Sequence, residues 1–290
     1  MNGLVLEGGG MRALFTAGIL DVLLENGVRF DGMIGVSAGA TFGCNFKSRQ
    51  VGRALRYNMR FIHDPRYMGW RSWVSTGDWV SAEFSYHTLP DQLDRFDWEA
   101  WSCNPMAFHL VCTDVDSGKA VYKHIVEPGR ESLDWFRASA SMPVAARPVC
   151  IGGRRLLDGG ISDSIPLQYF QSLGYRRCVV ILTQPIGFRK KRTRLMPLLR
   201  MAIPRYPAIL EAMNVRHEMY NRELDYLARE QAAGRALVIC PPSTIAIGRL
   251  EQNARKMQHV YDQGRKAGEA HLEAIRAFLG KSPTTNSNIK

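Results

Sequence analysis

The sequence has little of what marks disulfide-rich, metal-binding or membrane-spanning proteins. Its six cysteines are scattered through 290 residues without a C-x-x-C pair, which argues against a disulfide scaffold or a cysteine-based zinc site and favours a reducing compartment. There is no H-E-x-x-H, no carboxylate-rich cluster and no G-x-x-x-x-G-K-[ST], so we predict no metal site and no bound cofactor. No run of 18 apolar residues occurs, and we expect no membrane-spanning helix.

The N-terminus also lacks the basic region and long apolar stretch of a secretory signal, and Gly3 stands one position too late for myristoylation. These absences predict a cytoplasmic protein. Hydrophobic residues make up 46% of the chain and charged residues 22%, which is ordinary globular usage. The net charge of +11, from 38 Lys and Arg against 27 Asp and Glu, is compatible with binding to nucleic acid, to a membrane surface or to an anionic substrate.

Short apolar runs alternate with helical patterns in the first half of the chain. Residues 3–7 and 33–36 are predicted to be buried strands, and helices are expected at 13–25 and from residue 38. This β-α-β-α order predicts parallel strands with helices on both faces of the sheet. Further predicted strands are 106–114, 119–124, 149–151, 155–157, 177–182 and 236–240. Further predicted helices are 49–61, 131–140, 166–173, 207–232 and 250–279. Residues 64–90 are predicted to be a long loop or cap, and residues 281–290 to be disordered.

The first candidate motif is Gly8-Gly9-Gly10-Met11-Arg12, where a strand meets a helix. Uncovered amides at a helix N-terminus favour negative charge. The motif therefore suits a dinucleotide phosphate or an oxyanion hole for an ester carbonyl, and a tight turn is the simpler alternative.

The second candidate motif, Gly35-Val36-Ser37-Ala38-Gly39, also lies between a strand and a helix. Flanking glycines relieve crowding in the sharp turn that presents a nucleophilic serine, so the pattern fits a nucleophile elbow.

A third motif, Asp158-Gly159-Gly160, follows a predicted strand and can place an acid at the same sheet edge as Ser37, although Asp-Gly is also typical of a hairpin turn. The run 138–143, Ala-Ser-Ala-Ser-Met-Pro, is ordinary helix-end sequence when taken alone. His217, His259 and His271 follow the acid in the order that an α/β-hydrolase triad requires, but they lie in helical patterns and are expected to be surface residues.

Together the four motifs, in their order and spacing, resemble the patatin-like phospholipase family of serine acyl hydrolases. The resemblance covers residues 1–185 and implies an α/β fold, a three-layer α/β/α sandwich with a mostly parallel sheet. It implies a lipid acyl-ester hydrolase with a Ser-Asp dyad, in which Ser37 is the nucleophile and Asp158 the base. The amides of Gly8, Gly9 and Gly10 with Arg12 would form the oxyanion site. The glycines that support the motifs are Gly35, Gly39, Gly159 and Gly160.

Two other functions stay open at this point. A dinucleotide-binding oxidoreductase needs an acid at the end of the second strand, but Asp31 precedes that strand. The other possibility is a protein with the same fold that has no catalytic activity and binds a membrane or nucleic acid. We expect residues 1–185 to form the catalytic core, and 186–280 a basic segment followed by a mainly helical extension packed on that core.

The excess positive charge is concentrated after this core. Residues 188–206 hold seven basic side chains, no acidic one, and interleaved Leu, Met and Ile. A solvated loop with a core-packing helix would account for the pattern. The alternative is peripheral contact with anionic lipid on the inner face of the membrane, whereas no nucleic acid is expected because the run has no spaced aromatic residues. The residues proposed for lipid contact are Arg189, Lys190, Lys191, Arg192 and Arg194.

Overall fold

A single twisted sheet forms the centre of the computed structural model, which describes residues 1–127 and 129–280. Its strands are β1 (Asn2–Leu6), β2 (Gly32–Val36), β3 (Ala107–Asp114), β4 (Ala120–Ile125), β5 (Val149–Ile151), β6 (Arg154–Asp158), β7 (Arg177–Ile181) and β8 (Ala236–Ile239). The order is β5-β6-β3-β2-β1-β7-β8, with β4 also paired to β3. All eight predicted strands are present.

Five neighbouring strands, β3, β2, β1, β7 and β8, are parallel, while β4, β5 and β6 pair in antiparallel fashion. The mostly parallel sheet is therefore confirmed. Two of the antiparallel pairs, β3 with β4 and β5 with β6, are hairpins in which two or more turn residues replace a crossover helix. The third pair joins β6 to β3, which are distant in the sequence.

Helices cover both faces of the sheet. They are α1 (Leu14–Glu25), α2 (Ala38–Lys47), α3 (Arg53–Phe61), α4 (Trp70–Thr76), a π-helical segment (Phe84–Leu93), α5 (Trp98–Cys103), α6 (Arg130–Ala140), α7 (Leu167–Ser172), α8 (Met196–Ala202), α9 (Pro207–Ala232) and α10 (Ala254–Gly280). Short 3-10 turns occupy Gly10–Ala13 and Gly159–Ile161.

Side chains alternate between two buried layers, as the two-residue period of a strand requires. Leu4 and Leu6 of β1 join one hydrophobic cluster, which includes side chains of α1, α2 and α10, and Val5 joins the other, which includes side chains of α7 and α9. This arrangement is the predicted three-layer sandwich. The backbones of α1 and α10 are in direct contact at Gly18 and Gly264, where any side chain would collide with the opposite helix.

Residues 64–90, predicted to be a long loop or cap, contain helices, so the loop prediction was wrong for much of the segment. α4 and the start of the π-helical segment lie in it, and Phe84 packs edge-on against Phe61 with ring centroids 5.4 Å apart. Such aromatic packing stabilises helical turns that propensity alone does not favour.

The part of the chain after residue 185 joins the same sheet through β8 and adds α8, α9 and α10. The division at residue 185 stays a prediction. The predicted disorder of 281–290 lies outside the described residues. Among the residues that the structure describes, no helix is both long and apolar enough to cross a bilayer.

Candidate active site

The sheet brings Ser37 and Asp158 together through neighbouring residues of β3. Val36, the last residue of β2, pairs with Val111, and Asp158, the last residue of β6, pairs with Cys112. β4 pairs along one edge of β3, so β2 and β6 share the opposite edge. On that edge β6 lies in line with β2, just beyond the carboxyl end of β2. Ser37 follows Val36 directly, so the nucleophile and the acid meet at that junction.

Ser37 occupies a strained turn, with φ of 54° and ψ of −126°. A non-glycine residue in this region costs about 1–3 kcal/mol and persists only where its surroundings hold it. Gly35 and Gly39 leave room for the turn, because a Cβ at either position would lie 2.7 Å from backbone atoms. These contacts are what a nucleophile elbow requires.

The hydroxyl of Ser139 holds the elbow from the neighbouring helix end. It accepts a hydrogen bond from the amide of Ser37 at 3.0 Å and donates to the carbonyl of Val111 at 2.7 Å. Ser139 is fully buried. The run 138–143 is therefore more than ordinary helix-end sequence, since it fixes the backbone of the serine turn.

A short hydrogen bond joins the two candidate catalytic side chains. Ser37 Oγ donates to Asp158 Oδ2 at 2.6 Å, and Asp158 Oδ1 accepts from the amide of Gly160 at 2.8 Å. Burial raises the pKa of Asp158, although the bonds from Ser37 and Gly160 and the charge of Arg216 offset part of that effect. Gly159 packs so closely on the carbonyl of Val111 that no side chain fits there.

The glycine-rich turn lies against the serine elbow. A Cβ at Gly8 would lie 2.8 Å from the carbonyl oxygen of Val36 and 2.9 Å from Ser37 Cβ, and one at Gly9 would lie 2.8 Å from Thr183 Oγ1. Gly10 has a φ of +58° and touches the backbone of Arg249. In the described part of the chain, the amides of Gly8, Gly9 and Gly10 donate to no protein acceptor. They are therefore available to a developing oxyanion.

Sequence reasoning did not find the side chains that hold this turn. The buried Glu7 carboxylate accepts from the Thr183 amide at 2.6 Å, from Thr183 Oγ1 at 3.1 Å and from Tyr220 OH at 2.7 Å. Thr183 Oγ1 also lies 2.8 Å from the carbonyl of Gly8. An acidic residue directly before the glycines, at the end of an apolar strand, was the one sequence signal for this support.

Two cavities meet at Ser37. The first is mainly apolar and is lined by helices α2 and α3 and the π-helical segment. Tyr67, Met68 and Leu89 are part of its wall, so the stretch 64–90 borders the site. Its other apolar lining residues include Met11, Phe42, Tyr57, Phe96, Trp98 and Phe136.

The second cavity is lined by Ser37, Asp158 and four basic side chains. These are Arg12, Lys190, Arg216 and Arg249. Arg12 is half-buried, and its buried Nε has no partner in the described part of the chain. Its role at the oxyanion site stays a prediction.

The basic segment divides between this cavity and the surface. Arg189 is paired with Asp225 at 2.5 Å, and Arg192 donates to Asn214 Oδ1 at 2.7 Å. Lys191 and Arg194 are exposed, whereas Lys190 lines the second cavity. Within residues 1–127 and 129–280, no histidine hydrogen-bonds to Ser37 or Asp158.

Comparison with known proteins identifies relatives along most of the chain. The YjjU protein of Escherichia coli, itself uncharacterized, is 26% identical over 97% of this chain and 80% of its own length. Lysophospholipases named nte1 from Aspergillus oryzae and NTE1 from Phaeosphaeria nodorum are each 25% identical over at least 95% of this chain. This chain spans less than a fifth of either fungal protein. The crystal structure of VipD from Legionella pneumophila is a loose structural match, with 14% identity, a TM-score of 0.44, and coverage of 93% of this chain and 67% of VipD.

Two family models match separate stretches of the chain. A domain of unknown function matches residues 206–280. The model for patatin-like phospholipase matches residues 4–170, which is more than half of the chain. The family predicted from the four motifs is thus confirmed, and the chain belongs to the patatin-like phospholipase family of lipid hydrolases.

Proposed function

We propose that this protein is a serine acyl hydrolase that cleaves lipid esters with a Ser37-Asp158 dyad. The observation that carries the proposal is the 2.6 Å hydrogen bond from Ser37 Oγ to Asp158 Oδ2, made in a strained turn that opens on an apolar cavity. A serine hydroxyl is a weak nucleophile until a base takes its proton, and this geometry provides the base. The lysophospholipase names of the fungal relatives agree with a lipid ester as substrate.

The reaction would proceed through an acyl-enzyme. Asp158 takes the proton of Ser37 as Oγ attacks the ester carbonyl carbon, and the amides of the glycine turn hold the resulting oxyanion. Collapse of this intermediate breaks the ester C–O bond, and the leaving alcohol takes the proton from Asp158. Water, deprotonated by Asp158, then attacks the acyl-enzyme, and the fatty acid leaves as Ser37 recovers its proton.

The environment favours each step. Burial raises the pKa of Asp158, which makes its carboxylate a stronger base than an exposed one. Amides that are already fixed cost no reorganisation when charge develops on the substrate oxygen, and one such donor contributes about 2.7–4 kcal/mol to lowering the barrier. The apolar cavity beside Ser37 would take the acyl chain.

The dinucleotide alternative has no support at the site. Asp31 lies before β2, at the amino end of the strand, where its Oδ2 accepts from the amide of Asn2 at 2.6 Å. A ribose would need an acid at the opposite end of that strand.

Peripheral membrane contact at the cytoplasmic face remains part of the proposal. Exposed Lys191 and Arg194 lie in the segment that leads into α8, whose Leu198 and Met201 are 62% and 79% exposed. Basic side chains beside exposed apolar ones suit an anionic lipid surface.

The test is hydrolysis of a chromogenic short-chain acyl ester by purified protein. We expect Ser37→Ala and Asp158→Asn to lose activity without losing the fold, because each removes one half of the dyad. Ser172→Ala and Asp116→Asn are matched controls on the exposed surface and should retain wild-type rates. Wild-type activity in folded Ser37→Ala would disprove the mechanism.

A further inference from the structure

The cavity on the polar side of Ser37 is rich in positive charge. It is lined by Arg12, Lys190, Arg216 and Arg249 against two carboxylates, Glu7 and Asp158. Three of these cations, Lys190, Arg216 and Arg249, lie beyond residue 170, where the patatin-like match ends. Arg216 and Arg249 lie within the second match, over residues 206–280, and Lys190 lies between the two matches.

Both carboxylates are already engaged. Glu7 accepts three hydrogen bonds, from Thr183 and Tyr220, and Asp158 accepts from Ser37 and Gly160. The carboxylates therefore cannot also serve as close partners for all four cations.

Most of the cations have no protein acceptor. The ammonium of Lys190 lies 3.9 Å from the ring centroid of Tyr220, and in the described part of the chain neither it nor the guanidinium of Arg12 or Arg249 hydrogen-bonds to a protein oxygen. Arg216 differs, because it donates to the carbonyl of Gly160 and so also braces the turn of Asp158.

Like charges crowd the site. Burial is the largest cause that lowers the pKa of Lys190, to about 7. The charge of Arg216 acts in the same direction, Glu7 opposes it, and Arg249 and Arg12 lower the pKa by smaller amounts. An anion placed among these groups would relieve their repulsion and keep Lys190 protonated.

We propose that this cavity is a phosphate subsite, in which Lys190 and Arg249, with Arg12, bind the headgroup phosphate of a net-anionic glycerolipid whose ester lies at Ser37. Because Ser37 borders both cavities, one lipid would place its acyl chain in the apolar cavity and its phosphate among the cations. The subsite rests on the proposed hydrolase function. It selects lipids with a charged phosphate over neutral glycerides.

The experiment compares two soluble short-chain substrates with the same acyl group, 1-acylglycerol 3-phosphate and 1-monoacylglycerol, both below their aggregation limits. We expect Lys190→Gln to lower kcat/KM for the phosphate substrate about 10-fold to 100-fold, as for charge-assisted hydrogen bonds, with little change for the neutral one. Because the charge of Arg249 also lowers the pKa of Asp158, Arg249→Gln is judged by the ratio of the two kcat/KM values, which should fall by the same factor. Lys190→Arg should recover part of the loss. Lys266→Gln, on the exposed face of α10, is the matched control and should leave both rates unchanged.

Inorganic phosphate tests whether the subsite recognises phosphate itself. It should compete with the phosphate substrate in the wild type and lose that effect in Lys190→Gln. An unchanged ratio of the two kcat/KM values in both variants, with the neutral ester still cleaved, would overturn the subsite and leave the hydrolase standing. Failure of the wild type to cleave either ester would refute the hydrolase itself, and the subsite with it.

Discussion

Replacement of Ser139 by alanine tests whether the serine turn is held from outside. The change removes one hydroxyl from a fully buried position and alters volume little. It leaves the amide of Ser37 buried without a partner, which costs about 1–3 kcal/mol, and it removes the bond to the carbonyl of Val111, worth about 0.5–1.5 kcal/mol. We expect the free energy of unfolding to fall by about 2–4 kcal/mol.

The same change should slow catalysis. Without the bond from its amide, Ser37 can relax from a conformation that stores about 1–3 kcal/mol, and its Oγ then leaves Asp158. We expect kcat on a short acyl ester to fall about 10-fold to 100-fold, because 1.4 kcal/mol corresponds to a factor of ten. KM should change much less, since Ser139 does not line either cavity at Ser37.

Ser141→Ala is the matched control for this prediction. Its hydroxyl, also buried and only two residues further on, donates to the carbonyl of Arg137 in the preceding helical turn. Urea unfolding should show a loss of under about 1 kcal/mol and kcat should be near that of the wild type. If Ser139→Ala behaved like Ser141→Ala in both assays, the idea that Ser139 holds the elbow would be refuted.

Three further predictions concern the oxyanion turn, the base and the surface. Gly9→Ala should lower kcat about 100-fold to 1000-fold, because the added methyl group would displace the amides of the glycine-rich turn. Gly280→Ala, at a position with open space around it, should leave kcat unchanged, and equal rates in the two variants would contradict the oxyanion role of the turn. The acid limb of kcat/KM should lie above pH 3.8, because activity requires ionised Asp158 and burial raises its pKa; a limb at or below that pH would count against a buried base. In vesicle flotation, the wild type should bind phosphatidylglycerol vesicles, and salt should weaken this binding. The double variant Lys191→Glu/Arg194→Glu should bind more weakly, with a loss of binding free energy of about 1 kcal/mol per charge removed. Equal binding of the wild type to phosphatidylcholine vesicles would argue against electrostatic docking.

Local sequence patterns predicted the strands and the main catalytic candidates because those signals are short-range. Buried parallel strands appear as apolar runs, and the glycines around Ser37 and Asp158 stand where a side chain would collide with backbone. The pairing of the two residues followed from their strand ends and from the family resemblance, and the shared neighbour β3 supplies its physical cause.

Contacts between distant residues could not be predicted in this way. The partners of Glu7 are 176 and 213 positions away, and the stacking of Lys190 on Tyr220 depends on how α9 crosses the sheet. Lys190 therefore looked like one more surface charge in a basic run. The helix at 84–93 was missed because it packs through tertiary aromatic contacts such as that of Phe84 with Phe61, and because Pro90 lies inside it. The helix at 70–76 was missed because it buries only Ser72 and so shows no apolar face in the sequence.

The most direct test of the central claim is the site of reaction with a fluorophosphonate probe. Attack by an activated serine forms a covalent phosphonyl ester and releases fluoride, so peptide mass spectrometry can locate the modified residue. The account predicts one stoichiometric adduct on Ser37 in the wild type, none in Ser37→Ala and slow labelling in Asp158→Asn. Undiminished labelling of folded Ser37→Ala, or an adduct on another serine in the wild type, would contradict it.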